Sequence, residues 1–206
     1  MHELKQIVKS MKPSKALGID SISMKTIKDF LPSIEAALLN IVNTSILTNT
    51  YPTQLNISKI MPHLKPGKDS LDMNAYRPIS ILNAISKIVD TVIARQIKDF
   101  LVKYNLVPYN HNGGIKGLST TTTVLVLLDM WSKLLENNTN SVVLQLDQSA
   151  AYDMVNHQIL VEKIRILGFD NNAIKWIKSY LDGRRQLVEI EGKRSTIKEI
   201  GPKSTI

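Results

Sequence analysis

Ser141-Val142-Val143-Leu144-Gln145-Leu146-Asp147-Gln148-Ser149-Ala150-Ala151-Tyr152-Asp153 is the stretch on which the reading of this chain turns. Val142, Val143, Leu144 and Leu146 make a short apolar run that Asp147 ends, and small and polar residues follow. That is the pattern of a short buried strand opening into a turn. A carboxylate where a buried strand emerges is held rigidly by the sheet while its oxygens stay open to solvent, which suits a metal ligand. An Asp at the end of a strand is more often a turn or capping residue. On these residues alone both readings stand.

Working outward toward the N-terminus, Ser119 is placed to cap a helix with Val124, Leu127, Leu128, Trp131 and Leu135 as its apolar stripe. Pro108 through Gly117 reads as a loop. Residues 80–103 carry the strongest helical pattern, with Ile85, Ile88, Val89, Val92, Ile93, Ile97, Phe100 and Leu101 on one face. The segment KPGKDSLDMNAYRP (residues 65–78) reads as a polar loop, and residues 56–64 as a strand whose Pro62 suggests an edge position. Residues 21–31 read as a short helix. Pro32 can open the next one, with Ile34, Ala37, Leu38, Ile41, Val42 and Ile46 on its face and Tyr51-Pro52 after its end. Toward the C-terminus, residues 157–167 and 171–182 read as helices split by Gly168. Residues 186–191 and 194–200 read as a hairpin turned at Gly192-Lys193. Long helices interleaved with a few short antiparallel strands give an α+β class.

Bulk properties narrow the function. A chain of 206 residues suits one domain, or one and a part. The absence of cysteine excludes disulfides, thiolate chemistry and Cys-based zinc sites. The four histidines, His2, His63, His111 and His157, have no pair at ligand spacing and read as solvated or hydrogen-bonded residues. Lysine and arginine number 26 against 18 acidic residues, a net charge of +8 that favours a polyanionic partner. No apolar run approaches the roughly 18 residues that span a bilayer. The N-terminus lacks the continuous apolar core of a signal peptide. These features lead us to expect an intracellular protein, in nucleus or cytoplasm, with no membrane partner and no indication of oligomeric state.

LQLDQSAAYDMVNHQIL (residues 144–160) resembles the segment around the first catalytic aspartate of reverse transcriptases from non-LTR (LINE-type) retrotransposons. Further blocks fall in family order. Lys15-Ala16-Leu17-Gly18-Ile19-Asp20-Ser21-Ile22 is similar to an early Lys-x-x-Gly-x-Asp-x-Ile segment. KIMPHLKPGK (residues 59–68) and Tyr76-Arg77-Pro78-Ile79-Ser80-Ile81-Leu82-Asn83 are similar to the fingers loop and its Tyr-Arg-Pro-Ile-Ser continuation. His111 to Thr120 resembles a Gln-x-Gly-Phe-Arg-x-Gly-Arg-Ser-Thr segment, with His111, Gly114, Ile115 and Leu118 departing from it. Trp176 to Arg184 resembles a Trp-x-x-Ser-Tyr-Leu-x-x-Arg helix.

The resemblance implies a right-hand polymerase fold, with residues 1–120 as a fingers-like region and 121–206 as a partial palm. It implies Asp147 as catalytic residue and magnesium ligand, with the backbone from Gln148 through Ala151 lying along a nucleotide triphosphate. Tyr152 would be the ring under the deoxyribose that excludes a 2′-hydroxyl, and Asp153 a helix cap. Arg77, then Lys65 and Lys68, would contact phosphates, since a planar guanidinium takes two oxygens at once. Taken singly, each lysine reads equally as a solvated turn residue. Lys116, Arg184, Arg185 and Lys193 would contact the nucleic-acid backbone, and Trp176 would pack in the core. An RNA template, a DNA primer, dNTP and Mg2+ are the implied partners and cofactor.

The family continues with a Gly-x-Pro-Gln-Gly-Ser segment and an aromatic-x-Asp-Asp turn. Here Gly201-Pro202-Lys203-Ser204-Thr205-Ile206 departs from the first, and no Asp-Asp dipeptide occurs. The chain is therefore expected to be truncated and catalytically inactive as it stands. Two other readings remain open, a non-catalytic basic nucleic-acid-binding module and a retroelement relic without function.

Overall fold

The computed structural model describes residues 2–13, 16–108, 110–114, 117–148, 151 and 154–201. They divide into two compact units, Met1–Gln96 with Ala150–Ile206, and Ile97–Ser149.

The first unit is built around a mixed sheet. Its helices are α1 (His2–Ser10), α2 (Met24–Asp29), α3 (Leu31–Leu47), most of α4 (Ala84–Lys103), α6 (His157–Ile166) and α7 (Asn171–Leu181). Its strands are β1 (Ile57–Leu64), β2 (Tyr76–Ile81), β3 (Arg185–Ile190), β4 (Lys193–Arg194) and β5 (Lys198–Glu199). The order is β2-β1-β3-β4, with β5 also on β3. β1 and β2 are antiparallel, with Lys59 opposite Ile81 and His63 opposite Arg77. β1 and β3 are parallel, with Ile57 opposite Arg185 and Ile60 opposite Val188. The all-antiparallel expectation thus misses one pair, which a long helical crossover between the two strands makes possible.

Two further expectations about the strands change. β1 is central, because β2 and β3 flank it. Pro62 lies opposite Pro78. Two prolines cannot exchange N–H bonds, so they occupy a non-hydrogen-bonded pair, and β3 pairing ends at Ile60 before Pro62 is reached. β2 occupies residues read as loop and helix start, and α4 begins only at Ala84, where the Asn83 carbonyl accepts from Lys87 N–H at 3.1 Å. The terminal hairpin turns on Glu191 (φ 49) and Gly192 (φ 77), one residue earlier than expected. Positive φ at both central residues is the type I′ geometry that matches strand twist.

Packing follows apolar spacing with local exceptions. α1, unread in the sequence, buries Leu4, Ile7 and Val8 on one face. Lys28 Nζ donates to the Lys9 carbonyl at 2.9 Å and to that of Met11, placing a cation at the end of α1 where its dipole is negative. α3 buries Leu31, Glu35, Leu38, Val42 and Ser45, a face rotated from the expected stripe. Apolar counting misses this because Glu35 and Ser45 are polar but partnered. Lys5 pairs with Glu35 at 2.9 Å. The Ser45 hydroxyl donates to the Thr50 carbonyl at 2.7 Å and accepts from Trp176 Nε1 at 2.8 Å. Asn156 and Asp170 cap α6 and α7, each cap contributing about 1 kcal/mol.

In the second unit, α5 (Thr120–Glu136) is capped by Ser119 as expected, with the Thr122 N–H donating to its hydroxyl at 3.3 Å. None of its residues is buried; of the stripe read as core, Val124, Leu127, Leu128 and Leu135 are exposed and Trp131 is half-buried. Residues 142–146 are not a strand. They have no regular secondary structure, and Val142 and Leu146 are 97% and 84% exposed. A strand exists only through its neighbours' hydrogen bonds, and among the described residues none pairs with this segment.

Candidate functional site

The β1–β2 hairpin and the loop it encloses carry exposed Arg77 and Lys68 and half-buried Lys65. The loop is braced. Lys65 N–H donates to the Ala75 carbonyl and Lys65 Nζ to the Asn74 carbonyl, both at 2.8 Å. Lys68 N–H closes a turn on Lys65 O at 3.2 Å through Gly67, whose φ of 71 favours glycine. Asp69 and Asp72 accept from Leu71 and Asn74 N–H, and the Tyr76 hydroxyl donates to Ser70 O at 2.9 Å. Arg77 is exposed on β2 beside exposed His63, and among the described residues it has no ion pair. Strand alternation puts both on the face that also carries Met61 and Ile79. Lys68 is exposed and Lys65 half-buried.

Further along the same face of β1, toward β3, Lys59 is 6% exposed and its Nζ lies 2.8 Å from Glu189 Oε1. Arg194 Nε reaches the second oxygen at 2.7 Å. Hydrogen bonds from Lys59 and then Arg194 hold the Glu189 carboxyl below the usual range. This triad joins β1, β3 and β4.

The two adjacent arginines expected on nucleic acid divide. Arg185 is half-buried, with Nη2 donating to Thr53 O at 3.3 Å. Arg184 is 4% exposed and lies in the interior rather than on a surface. Its Nη1 donates to Asn56 Oδ1 at 3.3 Å, and the guanidinium lies 4.6 Å from the Tyr180 ring centre and 5.8 Å from that of Tyr51. Among the described residues its Nη2 is buried without a hydrogen-bond partner. The Tyr51 hydroxyl donates to Asp90 Oδ1 at 3.1 Å. Burial pushes the Asp90 carboxyl up to about 6, against the Tyr51 hydrogen bond and the Arg184 charge. Burial first, then the Asp90 charge, raises Tyr51 and Tyr180 above the ordinary range. Sequence reading missed this cluster. Its one signal was an aspartate beside Ile88, Val89 and Val92, at the edge of an apolar stripe.

Lys193 is exposed on β4, and Ala151 is exposed in a turn. Asp147 and Gln148 belong to the second unit and are exposed in irregular chain. Lys15, Lys116, Tyr152 and Asp153 lie outside the described residues. Among the described residues no group of three His, Asp or Glu side chains could hold a metal ion. No described helix is long and apolar enough to cross a membrane. α6 and α7 flank an open groove of about 490 Å³ lined by residues that include His157, Gln158, Lys178 and Asp182.

The sequence profile of the reverse transcriptase (RNA-dependent DNA polymerase) family matches residues 64–201, which take in Arg77, Asp147 and the β3–β5 strands. The chain belongs to the reverse transcriptase family. It is similar to the RNA-directed DNA polymerase from mobile element jockey of Drosophila funebris, 30% identical over 201 residues, covering 97% of this chain and 22% of that protein. It is also similar to the probable RNA-directed DNA polymerase from transposon BS of Drosophila melanogaster, 28% identical over 195 residues and covering 95% and 21%. A third relative is that from transposon X-element of the same fly, 27% identical over 194 residues and covering 94% and 21%. The chain spans about a fifth of the length of these curated relatives. The likeness to reverse transcriptases of non-LTR retrotransposons, drawn from Lys15 to Ile200, is borne out, and the mixed helix-and-sheet architecture accords with it.

Proposed function

We propose that these residues form the fingers and the opening part of the palm of a retrotransposon's RNA-directed DNA polymerase, and that they serve to hold the incoming nucleotide. The observation that carries this is the β1–β2 hairpin, which holds Arg77 exposed and without an ion pair among the described residues, beside a braced loop bearing Lys65 and Lys68. A triphosphate is the ligand a planar guanidinium and two nearby ammonium groups would recognise. The backbone near Gln148 and Ala151, with Tyr152, would frame the sugar and phosphates. Arg185, Lys193 and Lys116 would meet template or primer. Arg184 would act from inside, through Asn56 and the tyrosines.

Magnesium does not fit the described donors. Two divalent ions about 3.5–4 Å apart serve phosphoryl transfer, and a unit charge pair at 4 Å is worth about 4 kcal/mol at an effective dielectric of 20. Several carboxylates must therefore converge. Asp147 stands without two such neighbours among the described residues, and the 206 residues hold no Asp-Asp dipeptide. We infer that this polypeptide by itself does not polymerise, and no catalytic step is written through a metal.

Titration of the chain with dATP tests the nucleotide reading, Arg77→Ala being expected to weaken binding about tenfold. Template-dependent incorporation that disappears in Asp147→Ala would overturn the inference of inactivity. The net charge of +8 also favours a second reading, a basic module that binds RNA without holding nucleotide. That reading needs RNA affinity to fall steeply between about 50 and 200 mM salt and to be unaffected by dATP.

A further inference from the structure

Gly18 is buried where the chain passes the corner between β2 and α4. A Cβ there would lie 2.3 Å from Asn83 Oδ1, 2.7 Å from Asn83 Cα and 2.9 Å from Asn83 N. Two of these are backbone atoms, which cannot swing aside, so space alone demands glycine. The contact is also bonded, since Ile19 N–H donates to Asn83 Oδ1 at 3.0 Å. The segment keeps its shape through Ser21 N–H to Gly18 O at 3.2 Å and Ile22 N–H to Asp20 Oδ1 at 3.1 Å. Ser23 then caps α2.

Asn83 is 6% exposed and works in two directions. Its side chain holds the Gly18–Ile19 backbone, and its carbonyl accepts from Lys87 N–H in the first turn of α4. It follows Ile81, the last residue of β2, by two positions. β2 is an edge strand with β1 as its neighbour. Its placement thus depends on one ladder and on the corner that Asn83 occupies.

We propose that the Leu17–Ile22 turn is a latch on the β2–α4 corner, with Gly18 and Asn83 as positioning residues that set β2 and hence Arg77. The link to Arg77 rests on the nucleotide reading above; the latch does not. Gly18 and Asn83 touch no substrate in this reading. They act by removing the freedom that a strand bonded on one edge would otherwise keep.

Hydrogen exchange read by mass spectrometry tests the latch in the whole chain, comparing residues 76–83 with β3. Asn83→Leu removes the acceptor at similar size and is expected to speed exchange over 76–83 about tenfold with β3 unchanged. Asn83→Asp keeps an acceptor and restores slow exchange. Gly18→Ala should match Asn83→Leu; if it does not fold, the Asn83 pair decides. Equal acceleration over β3, or Asp faring no better than Leu, overturns the latch. Inorganic tripolyphosphate affinity provides the second arm. Loss in both Arg77→Ala and Asn83→Leu supports positioning, and loss in Arg77→Ala alone refutes it. No loss in Arg77→Ala removes the nucleotide reading and the positioning role with it, while the exchange data still judge the latch.

Discussion

Asp90 should make this protein more stable in mild acid than at neutral pH, against the usual behaviour of a carboxylate. Its carboxyl is raised from an ordinary 3.8 to about 6, burial being the largest cause. A raised carboxyl binds its proton more tightly folded than unfolded. The stability this gives is fully present below about pH 4 and is lost as pH rises through about 6. A shift of about two units at 1.36 kcal/mol each corresponds to roughly 2–3 kcal/mol. The groups facing Asp90 are Tyr51, which donates to it, and the Tyr180 ring and Arg184 guanidinium nearby. Asn at this position keeps an oxygen for the Tyr51 hydroxyl and cannot ionise. Urea unfolding followed by tryptophan fluorescence at pH 4.5 and 7.5 measures the effect. Because part of the effect is already lost at pH 4.5, wild type should lose about 2 kcal/mol more than Asp90→Asn between the two pH values. Equal pH dependence in both proteins, or a wild type that gains on the variant as pH rises, would refute the reasoning.

Other outcomes follow from single contacts. Trp176→Phe keeps the ring packing on Tyr51 and Tyr180 but removes the Nε1–H bond to Ser45; the same urea assay should show a loss of about 1–2 kcal/mol. Lys59→Met removes the largest cause of the low Glu189 value, so the carboxyl titration followed by carbon NMR should move upward toward the ordinary range. Leu125 and Leu128 on α5 are 61% and 49% exposed, and the isolated chain should associate as its concentration rises. Glutamate at both positions should reduce that association in sedimentation velocity without lowering the melting temperature, and unchanged association would show that another surface is responsible.

Helices were legible where apolar residues recur on one face, as in α4, α6 and α7, because burial there is carried by side chains that leave no other option. The α3 face was misread because Glu35 and Ser45 enter the core through Lys5 and Trp176, partners that lie far off in sequence. β2 was missed because Tyr76-Arg77-Pro78 carries turn formers, and Pro78 is acceptable because β2 is an edge strand whose outer side has no ladder to feed. The 142–146 segment shows the converse. Its apolar run has strand composition, yet among the described residues it has no partner, and pairing is a property of two segments rather than one. Asp147 was singled out by the family pattern, and its surroundings could not be read from the run that precedes it.

Arg184 and Arg185 show why the net charge of +8 does not translate directly into a binding surface. In sequence the two are adjacent members of a basic pair, both expected on nucleic acid. In the structure Arg185 opens β3 opposite Ile57, while Arg184 is turned inward against Tyr180 and Asn56. Lys59 is likewise interior, tied to Glu189. The interior cations tie β3 to β1, whereas Arg77 on the neighbouring strand is exposed and, among the described residues, has no ion pair. Salt dependence of any nucleic-acid binding should therefore respond to Arg77, Arg185 and Lys193. Neutralising Lys59 should instead disturb the sheet, lowering the melting temperature while leaving the slope of affinity against salt unchanged.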